Sequence, residues 1–128
     1  MPRHVRGGIG ILGLHATLAA WQGGQPWLDG VKRTLDENRR WLVSELRTRL
    51  PGVRVALPEA TYLAWLDLRA LELEPSPAEF LRRHAQVALS DGVAFGAGFE
   101  GYARLNFATS RPLLGEIVER MARALGSR

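Results

Sequence analysis

The dipeptide Pro51-Gly52 separates two textures of sequence, and that change of period constrains the fold more than any compositional total. Ahead of it, Leu28, Val31, Leu35, Leu42 and Leu46 recur at three- and four-residue spacing, an apolar stripe along one long helix. Pro26 can occupy the first turn of that helix, where its missing N–H costs nothing. Beyond the break, residues 53–57 alternate around Arg54 like an edge strand, and residues 61–68 are rich in β-formers, with Pro58-Glu59-Ala60 as a tight connection. Upstream, Ile11, Leu14, Leu18 and Trp21 predict a shorter helix with one apolar stripe, closed by Gly23 and Gly24. Downstream, Ser76-Pro77-Ala78-Glu79 is a capping box that opens a helix to about Ala85; the Ser76 hydroxyl and the Glu79 carboxylate can each satisfy an orphan backbone N–H. Residues 87–89 read as a short strand, residues 92–101 as a glycine-rich loop and residues 102–108 as a further strand. Ser110 and Pro112 then open a last helix with Leu113, Leu114, Ile117, Val118, Met121 and Leu125 turned inward.

This order of elements predicts an α/β fold, a small mixed sheet with helices packed on it, without internal repeats. Three segments follow: a loose leader over 1–8, a helical segment over 9–50, and a C-terminal small domain over 51–128. With 128 residues, of which 46% are hydrophobic, the chain suits one modest core. The first helix has no sheet before it, so its stripe is expected to pack against a preceding domain that these residues do not include.

Several function classes find little support. No run of 18 apolar residues occurs, so a membrane-spanning helix is not expected. Arg3 and Arg6 ahead of an apolar run, with Ala16, Ala19 and Ala20 behind it, imitate a signal peptide. Gly10 and Gly13 interrupt that run, His15 stops it and no cysteine follows, which favours a cytoplasmic location over export. The formal net charge of +4 would suit nucleic acid. Only Lys32 among the 17 basic residues is lysine, however, and Arg33, Arg39, Arg40, Arg47, Arg49 and Arg54 interleave with Asp29, Asp36, Glu37 and Glu45, which suggests a solvated helix face. A nucleic-acid partner is therefore not expected. His4, His15 and His84 share no metal-ligand spacing, and no serine sits in a nucleophile elbow.

The Gly96–Gly101 stretch matches the G-x-G-x-x-G expression, but a dinucleotide fingerprint follows a strand and opens a helix, whereas this one leads into a strand; a turn is the simpler reading. In that strand, alternation places Tyr102, Arg104 and Asn106 on one face and Ala103, Leu105 and Phe107 on the other. A strand-borne guanidinium can give a carboxylate two parallel charge-assisted hydrogen bonds. Pattern alone leaves open whether Arg104 does this or is an ordinary salt-bridged surface arginine.

Three phrases, taken in order, tip that balance. Pro-Glu-Ala-Thr-Tyr-Leu-Ala-Trp-Leu-Asp at 58–67, Ala-Leu-Ser-Asp-Gly with Phe-Gly at 88–96, and Gly-Tyr-Ala-Arg-Leu-Asn-Phe-Ala-Thr-Ser at 101–110 resemble the C-terminal small domain of fold-type I enzymes dependent on pyridoxal 5'-phosphate (PLP). The likeness is to the class I/II aminotransferase superfamily and its MalY/PatB cystathionine β-lyase branch. Trp27-Leu28-Asp29 and Asn38-Arg39 are similar to that family's long interdomain helix. The resemblance implies a C–S β-lyase of the cystathionine type or an aminotransferase, acting on an amino-acid substrate and dimeric when complete. It also implies that Arg104 binds the substrate α-carboxylate. The family's Schiff-base lysine and other cofactor-binding residues belong to an upstream large domain that no segment here matches, and Lys32 reads as a surface lysine. The chain alone is thus expected to be inactive, with a non-catalytic domain that binds a protein partner as the alternative.

Overall fold

A computed structural model describes residues 10–126, so the leader read over 1–8 lies outside the described residues. The elements run α1 (Ile11–Gly23), α2 (Gln25–Arg49), β1 (Arg54–Val55), β2 (Leu63–Asp67), α3 (Pro77–His84), β3 (Ser90–Asp91), β4 (Tyr102–Asn106) and α4 (Arg111–Gly126), with short 3-10 turns at Arg69–Leu71 and Gly92–Phe95. Among the described residues no helix is long and apolar enough to cross a membrane. The chain forms two compact units, Met1–Thr34 and Leu35–Arg128. The second takes in the C-terminal half of α2, because Leu42, Val43 and Leu46 of that helix are buried in the same hydrophobic cluster as the sheet.

Helix α1 departs from the expected single stripe. None of its residues is buried, and Leu12 and Trp21 are more than 80% exposed. Apolar side chains occupy every side of this helix, since Leu12, Ala16, Ala19 and Ala20 fill the faces that Ile11, Leu14, Leu18 and Trp21 leave.

The α/β architecture holds, with one correction to the sheet. Its strand order is β1-β2-β4-β3 and all three pairings are antiparallel, not mixed. A strand-helix-strand crossover such as β2-α3-β3 normally yields a parallel pair. Here β4 inserts between β2 and β3, so the two strands that run in the same direction never touch. The expected strand over 87–89 is also displaced: β3 is Ser90–Asp91, while the Val87 N–H closes onto Leu81 O at the end of α3, after Gln86 adopts a left-handed conformation.

One face of the sheet carries Ala64 and Leu66 of β2 and Ala103 and Leu105 of β4, all essentially inaccessible. They join Leu42 and Leu46 of α2, Leu81 of α3, and Leu114, Val118 and Met121 of α4 in a single cluster. Burying each large aliphatic side chain stabilises by about 1.5–3 kcal/mol before entropy is counted, so this face drives folding. Leu113 is not turned inward as expected but is 48% exposed, because it sits one position, about 100° of helix, away from the Leu114-Val118-Met121 line.

The N-terminus of α3 forms half of the expected box. Ser76 Oγ accepts from Glu79 N at 3.3 Å, but the Glu79 carboxylate is taken by Arg82 and Arg83 at 2.6–2.8 Å. Hydrogen bonds from Arg82 and then Arg83 hold the Glu79 carboxyl at about 2, below its ordinary 4.5. Because the folded-state value is depressed, these pairs add stability above about pH 4.5 and lose it as the pH falls towards 2. The urea midpoints of the wild type and Glu79→Gln should therefore differ at neutral pH and draw together as the pH is lowered through that window. A difference independent of pH would show that the carboxylate charge is not what stabilises this turn.

Candidate functional site

The sheet's other face carries the chemistry. Directly opposed residues share a face in an antiparallel ladder, and the register sets Trp65 of β2, Arg104 of β4 and Ser90 of β3 in one row. The next row holds Asp67 and Tyr102. The segment between β3 and β4 folds onto these rows. Its Phe95 ring lies 4.5 Å from Arg104 Cζ, and Phe95 and Phe99 each meet Trp65 edge-on at 5.4 Å. Trp65 also stacks on Tyr102 at 5.8 Å. Glycine is required where this segment turns tightest. A side chain at Gly92 would collide with Phe99 O, and Gly101 has φ +77° with Arg69 packed where a Cβ would stand.

Two arginines on this face have different fates. Arg69 grips Asp67 through Nε and Nη2 at 3.0 and 2.9 Å, and that hydrogen bonding, above all, holds the Asp67 carboxyl below its ordinary value. Its guanidinium also lies 4.7 Å from the centre of the Tyr102 ring. Arg104, half-buried, forms no ion pair among the described residues; its Nη2 donates to the neutral Ser90 Oγ at 3.3 Å. The cation is oriented and partly desolvated while its charge remains uncompensated, an arrangement suited to receiving an anion.

Behind the row, Asn38 of α2 is 2% exposed, and its Nδ2 donates to Phe107 O at 3.1 Å and Thr109 O at 2.8 Å. These bonds fix the chain as it leaves β4. The sequence placed Arg104, Tyr102 and Asn106 on one face, and the structure agrees. Reading the sequence missed Ser90, Phe95, Phe99 and the anchoring role of Asn38. Two phenylalanines inside a glycine loop, and an asparagine on the apolar line from Leu35 to Leu42, were the available signals. The Gly96–Gly101 turn runs directly into β4 and opens no helix.

No protein-family model matches the chain. Among curated proteins, a cystathionine beta-lyase of Corynebacterium glutamicum is 42% identical over 94% of this chain and 32% of its own length. The cystathionine beta-lyase PatB of Bacillus subtilis is 35% identical over 98% of this chain and 33% of its own. A crystal structure of the PLP-bound C-S lyase of Staphylococcus hominis with the inhibitor L-cycloserine superposes with a TM-score of 0.90, at 32% identity, over 95% of this chain and 33% of that one. The chain belongs to the class I/II aminotransferase superfamily of fold-type I PLP enzymes. It matches the C-terminal region of the superfamily's MalY/PatB cystathionine β-lyase branch and spans about a third of the length of the curated relatives it matches.

The superfamily's cofactor is PLP. The described groups around Arg104 suit an anion rather than that cofactor: a guanidinium, a hydroxyl and aromatic rings, with no amine among the described residues there to condense with an aldehyde. Lys32, the sole lysine, is exposed on α2. What the described residues present here is an oriented guanidinium between a serine hydroxyl and an aromatic ring.

Proposed function

We propose that this chain supplies the C-terminal, substrate-recognising part of a PLP-dependent enzyme acting on α-amino acids. The reaction is either β-elimination at a C–S bond, as in cystathionine, or transamination. Arg104 seats the substrate α-carboxylate. One observation carries the reading: a half-buried strand guanidinium, held by Ser90 and covered by Phe95, with no carboxylate partner among the described residues.

PLP, when held by a complete enzyme, accepts the electrons released at the substrate Cα. The part played by this chain is geometric. Two parallel N–H donors from Arg104 fix the rotation of the carboxylate and so decide which bond at Cα is presented for cleavage. The Phe95 ring, itself met edge-on by Trp65, keeps water from part of the guanidinium, which strengthens its attraction for the carboxylate.

The test uses a full-length enzyme of the superfamily that carries this segment as its C-terminal third, assayed for both reactions. Arg104→Lys keeps the charge but loses the fork, and kcat/KM for the amino acid should fall about tenfold or more. An unchanged value would mean that a point charge suffices and that the two-pronged seat is wrong. The same assay separates this reading from that of a non-catalytic partner-binding domain, which the exposed apolar side chains of α1 favour and which requires no dependence of turnover on residue 104.

A further inference from the structure

We propose that Ser90 is a positioning residue for Arg104, a neutral latch that holds the guanidinium ready for a carboxylate without neutralising it; this rests on the reading of Arg104 as the carboxylate seat. The two residues face each other in the β3-β4 ladder, and Nη2 of Arg104 donates to Ser90 Oγ at 3.3 Å. An arginine side chain has many rotamers, and strand register alone does not choose among them. The Phe95 ring, 4.5 Å from Cζ, resists tilting of the planar group but leaves it free to spin within its own plane. An oxygen accepting from Nη2 removes that freedom.

The latch is itself anchored. Asp91, the next residue of β3, accepts from Ser76 Oγ at 2.5 Å and from Val93 N at 3.4 Å. Those bonds tie β3 to the start of α3 and to the turn that carries Phe95. Both restraints on the Arg104 guanidinium, hydroxyl and ring, therefore come from the single segment 90–95.

Neutrality is the second half of the inference. On the same face, Asp67 occupies the fork of Arg69 with both carboxylate oxygens, leaving that arginine committed. A serine at position 90 orients Arg104 through one uncharged acceptor and leaves its positive charge for a ligand. An aspartate at position 90 would be expected to repeat the Asp67–Arg69 pair.

The experiment is an NMR titration of the full 128-residue chain with sodium acetate against sodium chloride at matched ionic strength. It follows the Arg104 Nε–Hε resonance, assigned by its loss in Arg104→Ala. The wild type should show a saturable shift with acetate and none with chloride. Ser90→Ala should weaken acetate binding about three- to tenfold, the worth of one hydrogen bond, with the β4 amide resonances in place. Ser90→Thr, which restores the hydroxyl, should bind like the wild type, and Ser90→Asp should lose binding. Wild-type affinity in Ser90→Ala, or failure of Ser90→Thr to restore it, overturns the latch while leaving the carboxylate seat standing. Absence of a saturable acetate shift in the wild type overturns both. Should Ser90→Ala fail to fold, Ser90→Thr and Ser90→Asp decide the matter, since equal binding by these two also overturns the latch.

Discussion

Replacing Arg104 by alanine, in a complete enzyme of the superfamily whose C-terminal third is this segment, should lower kcat/KM for the amino acid about a hundredfold or more. Two charge-assisted hydrogen bonds to the carboxylate are lost, and bonds of that kind contribute about 1.5–3 kcal/mol each, so a loss of at least about 3 kcal/mol is the natural scale. Weaker binding is only part of the expected loss. A carboxylate that can rotate no longer fixes the bond presented at Cα, so kcat should fall as KM rises. Steady-state kinetics separate the two: a rise confined to KM would reduce Arg104 to simple binding. Stability should barely change, because Arg104 is only half-buried and its one side-chain hydrogen bond among the described residues goes to Ser90.

Phe107→Ala should act in the opposite way, through the fold. Phe107 is completely buried, its N–H donates to Tyr62 O at 2.9 Å, and its carbonyl accepts from Asn38. Truncating a buried phenylalanine costs about 3–5 kcal/mol once the cavity is included. A domain of this size commonly has about 5–15 kcal/mol in total, so the variant should be close to unfolding at ambient temperature. Urea denaturation followed by circular dichroism reads this directly; a loss under about 1 kcal/mol would contradict the packing described around β4. The pair of variants separates the outward-facing side of β4, where Arg104 sits, from the buried residue that follows the strand.

That division was legible because alternation over residues 102–108 reports which side chains share a face, whatever the strand pairs with. The start of α3 was equally plain in Ser76-Pro77, since a cap is set by residues within one turn. What escaped depends on contacts distant in sequence. Two residues, Ser90 and Asp91, carry no period, and their strand exists only because β4 pairs with them. The mixed sheet was a reasonable expectation for strands linked through a helix, and it failed because β4 inserts between them. Phe95 and Phe99 gain a role only when a glycine-bearing segment turns back over Trp65. Asn38 sat in view on an apolar line, three residues after Leu35 and four before Leu42, where a polar side chain calls for a partner. Its partners are carbonyls about seventy positions away. Arg104 itself was ambiguous until the three ordered phrases joined it to a family. The structure then supplied a physical contrast with Arg69, one guanidinium taken by a carboxylate and the other left to a neutral hydroxyl.

The most direct measurement of whether Arg104 reads a carboxylate compares two substrates in two enzymes. kcat/KM is measured for an α-amino acid and for the corresponding amine lacking the carboxylate, in the complete enzyme and in its Arg104→Ala variant. The preference for the amino acid should collapse about a hundredfold in the variant while the value for the amine stays nearly constant. A preference that survives intact without the guanidinium would contradict the assignment.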